Sequence, residues 1–371
     1  MPVAAARANQ SLPVWRVARQ HEIGRTGLGL STPIDAVVAQ NGAVAILDQA
    51  EPYLRVHGAK GAPVAELVRK GGGPGELRNP IRMGWRGDSI WIFDANQRRL
   101  TFFSMAGKYL ASRTFSYGAL PGTVGVRPIA ILPNGGSLVV GTTLDEVGAR
   151  SEVTIPIAVI GPQGGSARPV LNLVLAHQML EFKVLGRQDM GQGYFYQPFS
   201  DDPLWAVAKN GTTLVVVDRH VPVIGLGASF SLTVLSTDGD TLARASVPFR
   251  PVPLAGAVID AAIADLRFPS SAGIKVDETD LRSRLYRPRF LPPVFTLNVG
   301  RDGTIWARTS PPATVPRSEY SVFAKDGRPL ATLSIPLPGR HRLFEADSSH
   351  LWVATEADDG APLVVVYKIL R

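Results

Sequence analysis

The sequence predicts an all-β fold, and three observations carry that prediction. The 371-residue chain is 45% hydrophobic, enough to fill a large buried core and too apolar for a disordered chain. Its apolar residues come in short runs separated by turns that draw on 37 glycines and 30 prolines, the pattern of many strands joined by tight connections. One turn-centred pattern also recurs along the chain, the mark of a repeat architecture.

The first pattern is an apolar run, a tight turn and a second aliphatic run. It reads AVVAQNGAVAILD at 36–48, RMGWRGDSIWIFD at 82–94 and IAILPNGGSLVVG at 129–141. It returns as WAVAKNGTTLVVVD at 205–218, TLNVGRDGTIWAR at 296–308 and LFEADSSHLWVAT at 343–355, six copies in all. Asn-Gly, Gly-Asp and Asp-Gly suit hairpin turns because Gly and Asn accept positive φ. A second strand–turn–strand pattern follows every copy but the last, as in FSMAGKYLA at 103–111 and VFAKDGRPLA at 322–331. Two patterns make four antiparallel strands per unit, and six such units predict a six-bladed β-propeller. The sixth unit lacks its outer strand. VWRVARQHEI at 14–23 precedes the first unit without a partner, so it is expected to pair into the last blade and close the ring, removing exposed sheet edges.

Residues 1–13 are thus expected to be a flexible leader, and 14–371 a single domain. The copies are unevenly spaced, which puts two insertions outside the blades, at about 171–202 and 250–292. In the second, Ile259, Ile263 and Leu266 have helical spacing, and Asp277 to Leu285 predicts a short helix with an acidic first turn. Excursions of this kind cap a scaffold and carry function.

The glycine-rich stretch KGGGPGELRNP at 70–80 is not a nucleotide loop. No Lys-Ser or Lys-Thr completes a P-loop, and a dinucleotide fingerprint would need a third Gly where Glu76 stands. A connection from the outer strand of one blade to the inner strand of the next explains it, with glycines allowing the sharp turn. G-x-G-P-G-E at Gly71 to Glu76, then Pro80, then D-x-x-x-x-R at Asp94 to Arg99 and FFSMAGKYL at 102–110, resembles the bacterial six-bladed β-propeller family related to NHL repeats. PFSDDPLWAV at 198–207 and VPFRPVPL at 247–254 look similar as well. The resemblance implies a six-bladed ring, usually exported and mostly without assigned activity. It also evokes six-bladed lactonases and lyases, some of which hold calcium on side chains gathered at the central channel.

Composition narrows the function classes. The chain carries +8 net charge and no cysteine. Disulfides, thiol catalysis, Cys-based zinc sites and a lipidated cysteine are excluded. No apolar run reaches the ~18 residues of a membrane-spanning helix. The basic residues are mostly Arg, whose planar fork suits carboxylate or phosphate, but no basic cluster is interleaved with aromatics and no nucleic-acid motif occurs. Ala6-Arg7-Ala8 resembles the small-residue end of a signal peptide, so a periplasmic or extracellular location is expected, with the cytoplasm as the alternative.

The channel mouth of such a ring forms near the starts of the inner strands. In this register those positions are Asp35, Arg82, Arg127, Asp201 with Asp202, Arg289, and His341 with Arg342. Arg82, Arg127, Arg289 and Arg342 with His341 would take an anion: a carboxylated metabolite, an acidic glycan or an acidic peptide. Tyr194 and Tyr196 in the first insertion would form an aromatic rim. The first expectation is therefore a monomeric propeller that binds a small anionic ligand or a protein partner and needs no cofactor. The alternative is a calcium-dependent hydrolase or lyase of lactonase type, with the ion on Asp35, Asp201 and Asp202. No H-x-H, H-E-x-x-H or G-x-S-x-G motif occurs, which leaves the question of an enzyme open.

Overall fold

The computed structural model describes residues 12–25, 29–115, 120–143, 152–177, 179–185, 190–220, 228–266, 275–311, 317–337 and 341–371. The export signal expected at Ala6–Ala8, and parts of both insertions, lie outside them.

The chain is all-β apart from short helices. Strands β2–β5 (Pro33–Val38, Val44–Asp48, Leu54–His57, Pro63–Leu67) form an antiparallel sheet in sequence order. The same arrangement holds for β6–β9 (Pro80–Arg86, Ser89–Asp94, Arg99–Ser104, Tyr109–Thr114) and for β10–β13 (Thr123–Ile131, Ser137–Thr143, Val153–Ile160, Arg168–Leu175). A fourth such sheet is β16–β19 (Leu204–Val207, Leu214–Asp218, Ala228–Leu235, Thr241–Phe249). In four of the hairpins that join first to second strand, Gly42, Gly135, Gly211 and Gly303 take φ between 72° and 85°. The sixth copy has Ser348 there, and Asp347 holds that turn by accepting from the Ser349 and His350 amides.

Eight further strands make one sheet. β21–β24 (Thr296–Val299, Ile305–Arg308, Ser318–Phe323, Pro329–Ile335) form one half. β25–β27 (Arg342–Ala346, His350–Glu356, Pro362–Leu370) form the other with β1 (Val14–Ile23). β1 runs antiparallel to β27, with Arg16 opposite Leu370 and Ile23 opposite Val364. Its first residues also pair in parallel with β24, Val14 beside Thr332 and Trp15 beside Leu333. The antiparallel pairing is the one the repeat count requires. The parallel contact was not foreseen, because nothing in a repeat pattern marks a pairing between blades.

Each sheet packs on the next through its own apolar cluster. Ile46 shares a cluster with Val364, Leu47 with Ile90, and Trp91 with Val139. Leu138 goes with Leu214, Val215 with Ile305, and Trp306 with Leu351 and Trp15. The contacts return to the first sheet, so the sheets form a propeller-like ring.

The two insertions fold together. β14 (Met179–Leu185) pairs with β15 (Met190–Tyr196) and with β20 (Lys275–Val276). With helices α1 (Gly256–Asp265) and α2 (Glu278–Arg284) they enclose a separate core around Leu180, Phe182, Leu281 and Leu285. α2 matches the expected helix: Asp277 caps it by accepting from the Asp280 amide, with Glu278 and Asp280 in its first turn. The first insertion starts later than expected, because residues 171–175 continue β13.

The glycine loop is structural. The Glu76 carboxylate folds back to accept from the Gly73 amide at 2.8 Å, and a Cβ on Gly71 would lie 2.0 Å from Glu76 Oε2. Asp94 accepts from the amides of Arg78, Asn79 and Gln97, and Arg99 donates to the Gly72, Gly73 and Glu76 carbonyls. The D-x-x-x-x-R spacing thus ties a loop to its sheet. Asp94 is fully buried, so Asp94→Ala strands amide donors and should lower unfolding free energy by about 2 kcal/mol in urea titration.

Candidate functional site

The innermost strands carry local irregularities that set the site. The pairing register shifts between Pro33 and Asp35, between Pro80 and Arg82, and between Leu343 and Glu345. A bulge adds one residue and re-aims the side chains beside it. Asp35 and Glu345 then repeat one local motif, each carboxylate accepting from the amide of the following residue, at 3.0 and 3.1 Å.

Asp35 is buried and its oxygens are fully engaged. Oδ1 receives Lys209 Nζ at 2.6 Å, and Oδ2 receives the Met83 amide at 3.3 Å. Lys209 stands in the turn after β16 and also donates to the Ala36 carbonyl. Burial works to raise the Asp35 carboxyl, but Lys209, Arg82 and Arg342 outweigh it and hold the group below the usual carboxylate range. Glu345 is 3% exposed and has no such cation in contact. Burial pushes its carboxyl up to about 7, against the weaker pull of Lys209 and Arg301.

Two of the other three predicted arginines, Arg127 and Arg342, act by their charge on Arg82. Burial lowers the pKa of half-buried Arg82; the Asp35 charge opposes that shift, while Arg127 and Arg342 reinforce it. Arg82 Nε donates to the Ile129 carbonyl on the neighbouring sheet at 3.3 Å. Arg127 and Arg342 are exposed and make no ion pair with a described residue; Arg342 lies over the Phe344 ring at 5.3 Å. Asp35 is the carboxylate whose charge acts on Arg82, and Lys209 already pairs with it.

Arg289 is placed elsewhere. Its strand, β21, starts only at Thr296, because Pro292 and Pro293 lack the amide protons a ladder needs. Arg289 instead lies over Phe290 at 5.1 Å, its carbonyl bonded to the Leu254 amide. His341 is held by its Nε2 against the Tyr320 hydroxyl at 3.1 Å, on the third strand of its neighbouring sheet. Tyr196 is 67% exposed at the end of β15; the Tyr194 side chain lies outside the described residues.

Asp201 and Asp202 belong to a different network from Asp35. Asp202 accepts from the Ala176 and His177 amides. Asp201 accepts from His220 Nδ1 at 2.7 Å and lies 3.6 Å from His177 Nδ1. His177 stacks on Tyr286 at 3.6 Å, whose hydroxyl burial and Asp201 push up to about 12. Buried Arg219 locks the base of this network with bonds to the Asp202 and Val294 carbonyls. A calcium ion asks for six or more oxygens, and the carboxylates proposed for it are taken by Lys209, backbone amides and histidines. Among the described residues no group of three or more His, Asp or Glu is set to hold a metal. These residues do not fit the ion.

Lys209 and Glu345 were not among the residues singled out from the sequence. Lys209 is hidden in an ordinary K-N-G turn. Glu345 was detectable as a lone charge inside the apolar strand LFEA.

No family model and no curated protein sequence matches the chain. Solved structures of similar shape include a calcium-binding protein, regucalcin, from Agrobacterium tumefaciens, at 12% identity and TM-score 0.41 over 96% of both chains. Virginiamycin B lyase from Staphylococcus aureus is similar at 11% identity and TM-score 0.43, over 96% of this chain and 99% of that one. Likeness this remote speaks to neither activity nor ligand. No described helix is long and apolar enough to cross a membrane.

Proposed function

We propose that this is a six-bladed, exported propeller of the NHL-related kind that binds a small anion at the arginine end of its channel. What supports it is that the charges of Arg127 and Arg342 both act on Arg82, while Asp35, the carboxylate that acts on it, is already paired with Lys209. Guanidiniums without a carboxylate partner of their own favour a carboxylate or phosphate, which they engage by paired charged hydrogen bonds. The blade count is supported by the eight-stranded sheet, which divides at the short parallel β24–β1 contact into two four-stranded halves, each like the other sheets. Bulged inner strands position the charges, and a ligand need only supply oxygens.

Calorimetric titration with citrate tests this. Each charged hydrogen bond lost costs about 1.5–3 kcal/mol, so Arg82→Ala combined with Arg127→Ala should weaken binding by about 100-fold or more. Equal affinity in the double variant, or no citrate binding by the wild type at millimolar concentration, would contradict the proposal.

A further inference from the structure

At the other end of the channel, where the first hairpins turn, lies a cavity of about 780 Å³. Five of the six inner hairpins contribute to its wall, so it sits on the ring axis and not in a gap between two sheets. Its charge is opposite to that of the arginine end. Four acids line it, Asp88, Asp302, Glu345 and Asp347, against two bases, Lys209 and Arg301. Both bases are already spoken for: Lys209 pairs with Asp35, and Arg301 pairs with Asp347 at 2.7 Å while donating to the Ala39 carbonyl. Trp85 and Met105 supply an apolar side.

An acidic lining alone would mean little. The second observation is Glu345, a buried carboxylate in that wall whose Oε2 has no hydrogen-bond partner. A buried oxygen left unpaired is unfavourable, and a ligand that donates to it removes that penalty.

We propose that this cavity is a second binding site, for a small organic ammonium ion that donates to Glu345 and rests its alkyl chain on Trp85. The ligand class follows from the lining. A cation meets the acid excess, N–H donors satisfy Oε2, and an aromatic face attracts an ammonium-bearing chain. The site is distinct from the anion mouth, and the Lys209–Asp35 pair adjoins both. The groups facing Glu345 are Lys209, Asp35 and Arg301. With its carboxyl pushed up to about 7, Glu345 gains negative charge between pH 6 and pH 8. Ammonium binding should therefore strengthen as pH rises across that interval.

Putrescine titrated by calorimetry at pH 6 and pH 8 tests this on the full chain. The expected result is binding at least fivefold tighter at pH 8, lost in Glu345→Gln, weakened in Trp85→Leu and unchanged in Arg82→Ala combined with Arg127→Ala. Glu345→Gln keeps the shape, and its circular dichroism and urea midpoint establish that it is folded. No putrescine binding by wild type, equal binding by folded Glu345→Gln, or a response to calcium in place of putrescine would overturn the proposal. Failure of citrate binding with putrescine binding intact would sink the anion proposal alone.

Discussion

A chain beginning at Gly24 is expected to lose cooperative folding. β1 is the one strand of the ring drawn from the other end of the sequence, and removing it strips partners from both β27 and β24. Trp15, in contact with Trp306 at 6.4 Å, would leave one inter-sheet core, and Ile23, fully buried, would leave another. Burying one such side chain contributes about 1.5–3 kcal/mol, and two sheet edges would open besides. The sum is comparable with the whole stability of an ordinary domain, about 5–15 kcal/mol. Urea unfolding followed by circular dichroism should show no cooperative transition in the truncated protein. A synthetic peptide of residues 12–25 added in trans should restore one by strand addition. A truncated chain that unfolds at the wild-type midpoint would mean that β1 does not close the ring.

The second large effect is expected at Lys209. Its ammonium is the direct counter-charge of buried Asp35, so Lys209→Met leaves an ionised carboxylate without its partner. Breaking a buried pair from one side costs about 3–5 kcal/mol, whereas replacing both members costs much less. Lys209→Met should therefore destabilise strongly, and Asp35→Asn on that background should recover much of the loss. The pH dependence has a definite sign. The folded-state pKa of Asp35 lies below its unfolded value, so its contribution is present above pH 4 and is lost as the pH falls through the folded pKa. The gap between wild type and Lys209→Met should accordingly narrow as the pH falls toward the lowered folded pKa of Asp35. Equal unfolding free energies at pH 7 would show that Lys209 is not the partner that counts.

Much of the ring was legible in the sequence because hairpin chemistry is local. Asn41-Gly42, Asn210-Gly211 and Asp302-Gly303 mark their turns by residue type alone, and the aliphatic runs beside them are periodic. The closure by residues 14–23 was legible from counting, since one unit lacked a strand and one strand lacked a unit. The glycine loop was legible too, although its ties to Asp94 and Arg99 need the fold to bring sheet and loop together. The site was harder. Arg82, Arg127 and Arg342 sit at equivalent strand positions, so register alone assembles them. Arg289 failed that logic because a Pro-Pro break shifted its strand start beyond it. Lys209 answers to a partner 174 residues away, and Glu345 Oε2 has no hydrogen-bond partner; no spacing along a chain encodes either.

The most direct test of the anion mouth is where a labelled carboxylate goes. A crystal soaked in para-bromobenzoate and measured at the bromine absorption edge would locate it without assumption about activity. An anomalous peak is expected beside Arg82, Arg127 and Arg342, with the carboxylate oxygens on their guanidiniums. Bromine peaks confined to other surfaces, with that mouth clear of carboxylate, would contradict it.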